Sequence, residues 1–245
     1  MLTDHRDPIL VEYTVKKLVA QRIYALALGY EDLNDHDDFR SDPLLATLVG
    51  NNDPTGARRL RERDAGKPRA GKSTLNRLEL TAEGAGSGSR YKKIELDAQA
   101  VERMLVDIFL EAHDKAPERI VMDLDTTDDL LHGHQEGRFF HGYYSQYSYL
   151  PLYVVWGNFE LAAKLRGSNI DAPAGAVREL ERIVGHIRKS WPEVRVVIRP
   201  DSGFAREENM KWCEDNGVDY VLRLARNIRL TRALGEQLRQ AKKAA

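Results

Sequence analysis

Cysteine is nearly absent from the sequence, and long apolar runs and a large net charge are missing altogether. The 245 residues include one cysteine, Cys213, which excludes an internal disulfide and a cysteine-rich zinc site. The longest apolar runs, such as LYVVW at 152–156, are far shorter than the roughly 20 residues that a membrane-spanning helix needs. The N-terminus is charged from its fourth residue, so we expect no signal peptide. A hydrophobic content of 42% with a net charge of -1 argues against general disorder, and we expect a cytoplasmic globular protein without a membrane segment.

The basic residues are concentrated in two segments, although the net charge is close to zero. Between residues 51 and 93 eleven lysines and arginines stand against five acids, and in residues 223–245 seven stand against one. Such segments can hold a polyanion through phosphate contacts that are independent of base sequence, and the simpler interpretation is solvated surface. The candidates for contact with DNA phosphates are Arg58, Arg59, Arg61, Arg63, Lys67, Arg69 and Lys72.

Hydrophobic periodicity divides the chain into a mostly helical N-terminal region and an α/β region. A helix is predicted over residues 8–29, and STLNRLE at 73–79 could begin another. GAGSGS at 84–89 is typical of a flexible linker. The predicted divisions are a helical and possibly DNA-binding region at 1–83, a linker at 84–93, an α/β domain at 94–227 and a basic helix at 228–245.

The order of elements in the α/β region favours a mixed sheet. Strands are predicted at 119–125, around 137–147, and at 150–156, 194–201 and 218–224, and helices at 95–113, 174–190 and 205–216. Three consecutive strands with short connections indicate an antiparallel meander, and the later strands, which helices connect, should be parallel to a neighbour. The predicted fold is therefore α/β and ribonuclease-H-like, with a three-strand meander plus parallel strands, flanked by helices.

Two of the predicted strands end in carboxylates. Asp123 and Asp125 lie two residues apart on the first strand, so both side chains point to one face of the sheet. Asp201 ends a later strand, and the three carboxylates converge if the two strands are neighbours. Carboxylates with open coordination positions bind Mg²⁺ or Mn²⁺ rather than zinc, and such ions can activate a water or a 3′-hydroxyl for attack on a phosphodiester. The alternative is that one of these aspartates merely caps a turn.

Several longer motifs resemble those of the DDE transposases of insertion sequences, and most closely those of the thirteen-eighty group. They are DLDTTDDLLHGHQEG at 123–137, YYSQYSYLPLYV at 143–154, LRGSN at 165–169, RPDSGFA at 199–205 and CEDNGVDYVLRLARN at 213–227, with GYEDLNDHDDFRSDP at 29–43 and STLNRLE at 73–79 in the N-terminal region. The resemblance extends from about residue 4 to residue 227. It implies a ribonuclease-H-like catalytic domain, a divalent metal ion, and DNA cleavage and strand transfer at the ends of the element.

The resemblance also assigns roles to the carboxylates. Asp125, which two threonines follow, best matches the first catalytic aspartate of the family, and Asp123 is a close competitor. Asp201 matches the second aspartate, and Arg199 beside it could contact a phosphate. These aspartates would hold Mg²⁺ or Mn²⁺. The family further implies a homo-oligomer whose partners are the element ends and a target DNA.

The third acid of the family, a glutamate on a helix after the last strand, has no clear match. Glu236 is the only acid after Asp219, and its context RALGEQLRQ does not resemble the family motif. We therefore expect a chain that is truncated at both ends relative to the family. The competing hypothesis is a non-catalytic protein that binds DNA or full-length transposase as a regulator.

Two shorter motifs suggest other chemistry. GKPRAGKS at 66–73 fits a phosphate-binding loop, but the charged segment before it is not a strand. DLDTT at 123–127 fits the D-x-D-x-T loop of haloacid-dehalogenase-like phosphatases, in which Asp123 would be the nucleophile and Asp125 the acid–base group. That fold continues with α/β units, whereas a meander is predicted here.

Histidines and aromatic residues follow the first strand. His132, His134 and Gln135 lie in a glycine-containing loop, which with His141 could bind zinc, DNA or the catalytic acids, or could be plain polar surface. The nearby aromatic residues could stack on unpaired bases, although we predict that most of them belong to the core. These residues are Phe139, Phe140, Tyr143, Tyr144, Tyr147 and Tyr149. Cys213 is predicted to be buried packing.

Overall fold

The computed structural model describes residues 1–59, 61–79, 84–131, 133–142, 145–223 and 227–244. The chain forms two units, residues 1–100 and residues 101–245. The division lies beyond the predicted linker at 84–93, because strand β2 (Ile94–Leu96) pairs antiparallel with strand β1 (Leu2–Asp4) and so belongs to the first unit. None of the described helices is both long and apolar enough to cross a lipid bilayer.

The described part of the first unit is mostly helical. Its α-helices are α1 (Val15–Ala27), α2 (Asp35–Asp38), α3 (Pro43–Leu48) and α4 (Lys72–Glu79), with 3₁₀ turns at Pro8–Leu10 and Glu62–Asp64. Helix α1 begins later than the periodicity predicts because Thr14 caps it, its hydroxyl accepting a hydrogen bond from the Lys17 amide at 3.4 Å. A small core holds these elements together and contains Tyr13, Leu18, Ala70, Leu75 and Ile94.

The second unit is built on a five-stranded mixed sheet. Its strands are β3 (Arg119–Thr126), β7 (Leu152–Trp156), β8 (Phe159–Lys164), β9 (Arg195–Ile198) and β10 (Asp219–Tyr220), and β4 (Asp129–Leu130), β5 (Phe139–His141) and β6 (Gln146–Tyr149) form a separate small sheet. Across the large sheet the order is β10-β9-β3-β7-β8. The β3, β7 and β8 strands pair antiparallel, whereas β9 and β10 are parallel to their neighbours. This topology confirms the predicted ribonuclease-H-like arrangement.

Helices cover the sheet through one hydrophobic core. They are α5 (Ala98–Glu111), α6 (Ala176–Ser190) and α7 (Glu207–Asp215). Two further helices, α8 (Ile228–Ala233) and α9 (Gly235–Ala244), follow in the described C-terminal segment. Side chains of α5, α6 and α7 share this core with Ile120, Met122 and Leu124 of β3. Because side chains alternate along a strand, Asp123 and Asp125 lie on the opposite face. Asp125 is exposed and Asp123 is half-buried.

The predicted meander differs from the observed one in two strands: the predicted middle strand belongs to another sheet, and the observed last strand was not predicted. The segment around 137–147 contributes to the small sheet, and the third strand of the meander is β8, which was not predicted. A β-bulge explains the omission: Leu161 and Ala162 are adjacent yet both buried, because the register against β7 shifts between Val154 and Val155. The bulge removes the alternation by which a strand is predicted from sequence.

Phe109 of α5 is the centre of an aromatic cluster in the core of the second unit. It is fully buried, and its ring lies 5.2 Å from that of Trp156 and 5.6 Å from those of Phe159 and Trp191, all in edge-to-face geometry. Such contacts add to the free energy of burial.

We expect Phe109→Ala to lower the free energy of unfolding of this unit by about 3–5 kcal/mol, because it leaves a cavity among packed rings. The matched control is Ile108→Ala. Ile108 is the neighbour of Phe109 on the helix and is 49% exposed, so this substitution should lower the free energy of unfolding by less than about 1 kcal/mol. Urea unfolding followed by tryptophan fluorescence measures both, because all three tryptophans, Trp156, Trp191 and Trp212, lie in this unit. Equal losses in the two variants would contradict the packing argument.

The first unit contains a buried histidine that should make its stability depend on pH. His36 is fully buried, its Nδ1 lies 3.1 Å from Gln21 Nε2, and burial, followed by the charges of Arg22 and Arg69, lowers its pKa to about 4. In the unfolded chain His36 therefore becomes protonated near pH 6.5, whereas in the folded chain it becomes protonated only near pH 4.

Stability should consequently decrease as the pH falls from about 7 to 5, with about 2 kcal/mol attributable to His36. In His36→Gln this part of the pH dependence should disappear, whereas the exposed-site control His134→Gln should retain it. Urea unfolding followed by circular dichroism at both pH values measures the difference. An unchanged pH dependence in His36→Gln would show that other groups cause it.

Candidate functional site

Neighbouring parallel strands bring two of the predicted acids to one edge of the large sheet. Strand β9 pairs with β3 in a register that sets Ile198 opposite Met122. Asp201 follows Ile198 by three residues, and Asp125 follows Met122 by three residues. Because parallel strands run in the same direction, both aspartates lie toward the carboxyl ends of the two strands, Asp125 within β3 opposite Tyr153 of β7 and Asp201 beyond the end of β9.

Asp123 is held by Arg199 in a two-point ion pair. Arg199 Nε donates to Asp123 Oδ1 at 2.6 Å and Nη2 donates to Oδ2 at 2.8 Å, while the Arg199 amide donates to the Met122 carbonyl at 2.8 Å. The hydrogen bonds that the guanidinium donates to the carboxylate, and then the charge of that carboxylate, raise the pKa of Arg199. Both oxygens of Asp123 are therefore engaged, which distinguishes Asp123 from Asp125. This pair depends on the register between β3 and β9, which the sequence does not reveal.

Asp125 and Asp201 each keep one carboxylate oxygen open. Asp125 Oδ1 accepts a hydrogen bond from the Thr126 amide at 2.8 Å. Asp201 Oδ1 accepts from the Gly203 amide at 2.8 Å and so caps the 3₁₀ turn Ser202–Phe204. The second oxygen of each carboxylate bonds with no described residue, and both residues are exposed. Asp201 thus caps a turn, which was the alternative to a metal-binding role. Its second oxygen is still available to a cation.

The donor set at this edge suits a hard divalent cation. Magnesium is commonly bound by one or two carboxylates, with water and substrate phosphates completing its octahedron. Asp125 and Asp201 match that description. Within the described ranges no three His, Cys, Asp or Glu side chains are grouped closely enough to hold a metal ion, so the predicted convergence of all three aspartates, Asp123, Asp125 and Asp201, is not seen there. Glu236 does not join the pair, and its carboxylate binds Arg239 within α9 at 2.6 Å.

A family profile described as transposase DDE domain group 1 matches residues 1–245, the whole chain. The chain belongs to this transposase family. No curated protein sequence matches it.

The solved structures that this chain resembles share little of its sequence. The catalytic domain of Mos1 mariner transposase is 12% identical, with a TM-score of 0.34 over 61% of this chain and 73% of that chain. The Mos1 transposase paired-end complex with left transposon end is 13% identical, with a TM-score of 0.31 over 91% and 62%. The piggyBac transposase synaptic complex with hairpin DNA is 14% identical, with a TM-score of 0.35 over 78% and 53%. This chain therefore spans less than two thirds of the length of the latter two.

The described residues of the histidine loop are exposed. His134 is exposed and its Nδ1 lies 2.8 Å from Arg138 Nη2, and Gln135 is exposed beside it. His141 lies in β5, and His132 is outside the described residues. The described part of the loop therefore shows hydrogen-bonded polar surface, and no zinc ligand set is seen among its described residues.

The aromatic residues of the small sheet are more exposed than predicted. Phe139, Phe140 and Tyr147 are 44–56% exposed, so the prediction that most of the stripe is core is wrong for these three. The small sheet packs its rings against each other, with Phe140 and Tyr147 5.5 Å apart. Tyr149 is half-buried, and Tyr143 and Tyr144 lie outside the described residues. The predicted burial of Cys213 is confirmed.

The predicted DNA-contacting residues of the first unit divide by exposure. Arg58, Arg61 and Arg63 are exposed, and Lys72 donates to Asn34 Oδ1 at 3.0 Å. Arg59 is mostly buried and binds Glu12 Oε1 at 2.7 Å, and Lys67 donates to the Arg63 carbonyl at 2.9 Å.

Arg69 corrects the prediction for that basic segment. It is 1% exposed, its Nη1 donates to the Phe39 carbonyl at 3.2 Å, and its guanidinium lies 4.6 Å from the centre of the Phe39 ring. Burial lowers the Arg69 pKa to about 10, so the side chain stays charged at neutral pH. A buried guanidinium that packs on an aromatic ring cannot reach a DNA phosphate, and Arg69 is therefore a structural residue here.

The structure around the phosphate-loop motif and the phosphatase motif does not match what either function requires. A 3₁₀ turn, and not a strand, precedes GKPRAGKS, and Asp37 Oδ1 accepts the Lys72 amide at 3.0 Å where a phosphate-binding loop would hold phosphate. Strand β3, which carries DLDTT, is followed in the sheet by the antiparallel β7, and this excludes the α/β units of a haloacid-dehalogenase-like phosphatase.

The open oxygens of Asp125 and Asp201 predict a cation site that can be measured without DNA. Asp125→Asn and Asp201→Asn should each weaken Mn²⁺ binding by at least about tenfold, because each removes one anionic ligand. Asp123→Asn should weaken it less, since that carboxylate is already bound by Arg199. The control is Asp215→Asn, an exposed helical acid that pairs with Lys211. Titration followed by Mn²⁺ electron paramagnetic resonance gives the affinities, and wild-type affinity in both variants would contradict the assignment.

Proposed function

We propose that this chain is an insertion-sequence DDE transposase that cleaves DNA at the element ends and transfers the freed strand to target DNA with Mg²⁺ or Mn²⁺. The observation that carries the proposal is that Asp125 and Asp201 lie toward the carboxyl ends of neighbouring parallel strands, each with a carboxylate oxygen that bonds with no described residue. The motifs between residues 123 and 227 favour the thirteen-eighty group within the family.

The two aspartates would hold the cation between them and so fix where the scissile phosphate lies. When bound, the cation lowers the pKa of the attacking water and stabilises the charge on the leaving oxygen. In the cleavage step a water oxygen bonds to phosphorus, the bond from phosphorus to the 3′-oxygen breaks, and that oxygen takes a proton to give a 3′-hydroxyl. In strand transfer this hydroxyl attacks a phosphate of the target DNA and displaces its 3′-oxygen.

Arg199 fits a role in orienting that phosphate. Its Nε and Nη2 are bound to Asp123, and the guanidinium is 62% exposed, so its remaining N–H groups face solvent. An arginine fixed on one side can donate to a phosphate on the other. Asp123 is then a positioning residue for Arg199, and Asp125 is the first catalytic aspartate.

The DNA backbone would be held at the exposed basic residues of the first unit. Arg58, Arg61 and Arg63 project into solvent, and none of them needs base-specific geometry to bind phosphates. We include a homo-oligomer in the proposal, because two element ends must be joined to one target. The affinity for DNA should accordingly fall steeply with salt concentration.

One observation favours a second candidate, a non-catalytic protein that binds DNA or full-length transposase. No third acid joins Asp125 and Asp201 within the described ranges, and Glu236 is engaged by Arg239. If such an acid is needed for cleavage, this chain alone would occupy element ends without cutting them.

The two candidates predict different results in a nicking assay on supercoiled plasmid with Mn²⁺. For the catalytic candidate, wild-type protein nicks the plasmid, and Asp125→Ala and Asp201→Ala reduce nicking by about a thousandfold or more, since metal-held chemistry is lost. Asp215→Ala should nick like wild type. Gel-shift affinity for the same DNA should be unchanged or higher in the aspartate variants, because removing a carboxylate lessens repulsion of phosphate.

DNA binding without Mn²⁺-dependent nicking by the wild type would overturn the catalytic candidate and support the non-catalytic one. Nicking that persists in Asp201→Ala at the wild-type rate would show that the activity does not use this site.

A further inference from the structure

The first unit contains a cavity lined by basic side chains, far in sequence from the aspartates. Its volume is about 530 Å³. The basic residues that line it are Arg40, Arg59, Arg61, Arg63, Lys67 and Arg77. Three carboxylates, those of Glu12, Asp37 and Asp64, line it as well, so positive charge is in excess.

The three carboxylates are already engaged, so the net charge of the cavity lining stays positive. Glu12 Oε1 lies 2.7 Å from Arg59 Nη1, and Asp64 Oδ1 accepts from Arg40 Nη2 at 3.1 Å. Asp37 Oδ1 accepts the amide of Lys72 at 3.0 Å. Arg61, in contrast, is exposed and pairs with no described side chain. The cavity therefore attracts anions.

Tyr13 supplies an observation that points to a ligand. The residue is 7% exposed, lines the cavity, and has a hydroxyl without a hydrogen-bond partner among the described residues. Arg59 covers its ring at 4.8 Å, and burial raises the pKa of the phenol to about 12, so the hydroxyl stays a donor at neutral pH. A buried donor without an acceptor costs about 1–3 kcal/mol, and an anion in the cavity would remove that cost.

The N-terminus of α4 lines the same cavity. Ser73 and Thr74 contribute to its wall. The Thr74 and Leu75 amides donate to the Gly71 carbonyl at 3.0 and 3.3 Å, whereas the Ser73 amide donates to no described residue. The positive end of the helix dipole and a free amide add to the arginine charge.

We propose that this cavity binds a phosphate group, with Tyr13, Arg59, Arg61 and the start of α4 as its contacts. The chemistry is that of a phosphate monoester or diester, and either free phosphate or the DNA backbone could supply it. This site does not act as a nucleotide-binding loop, since Lys72 is directed to Asn34 and Asp37. The proposal is independent of the aspartate site and of its metal.

Isothermal titration of the full 245-residue chain with inorganic phosphate tests it. Tyr13→Phe removes only the hydroxyl, and Arg61→Gln removes a charge from an exposed side chain. Each should weaken phosphate binding about tenfold, which is what the loss of one hydrogen bond to a charged group costs. The matched controls are Tyr24→Phe and Lys16→Gln, neither of which lines the cavity, and both should bind within about twofold of wild type.

A second arm with duplex DNA distinguishes the two sources of phosphate. If Tyr13→Phe and Arg61→Gln weaken duplex binding as much as phosphate binding, the ligand is the DNA backbone, and phosphate should compete with the duplex. If duplex affinity is unchanged, the ligand is free phosphate. Asp201→Ala should leave phosphate binding intact even if nicking fails, so the two proposals can fail separately.

The absence of saturable phosphate binding in the wild type would overturn the inference. So would wild-type phosphate affinity in Arg61→Gln, which decides the matter alone if thermal unfolding shows that Tyr13→Phe is misfolded. Equal weakening in Lys16→Gln would show that general positive charge causes the effect and would likewise overturn the inference.

Discussion

The parallel pairing of β9 with β3 is the interaction on which the rest of the site depends. It joins two apolar strands in a register that sets Met122 opposite Ile198, and the core helices pack against both. Hydrogen bonds along the two strands fix that register, and a slip of one residue would turn every side chain of the shifted strand to the other face. Asp125 and Asp201 come toward the same end of the sheet only because these strands are parallel neighbours, and the Asp123–Arg199 ion pair depends on their register.

The two faces of the sheet carry different side chains: one face packs into the hydrophobic core, and the other carries the charged residues. Ile120, Met122 and Leu124 point into the core, so their free energy of burial stabilises the strand whatever the opposite face carries. The polar face is then free to hold charges that would be costly inside. Arg199 neutralises Asp123 there, and the open oxygens of Asp125 and Asp201 retain the charge that a cation needs. The strands thus support an acidic site without relying on it for stability.

The first unit shows why composition alone is a poor guide to function. Seven basic residues between 58 and 72 look equivalent in the sequence, yet the structure gives them different roles. Arg69 is buried against Phe39 and Arg59 is bound to Glu12, whereas Arg61 is exposed at a cationic cavity. The difference arises from side chains that are distant in sequence, because burial and pairing depend on which aromatic or acidic residue the fold places nearby.

The sequence by itself determined the α/β class, the mixed sheet and the acids at strand ends, because alternation and apolar runs are local properties of the chain. Only the tertiary structure decided which acid is open. Asp123 and Asp125 are indistinguishable by spacing, and the partner Arg199 comes from 76 residues away. Strand β8 escaped prediction because a bulge broke its alternation, and the exposure of Phe139 and Phe140 depends on the small sheet they join. Contacts between distant residues set burial, ion pairing and strand register, and local patterns cannot encode them.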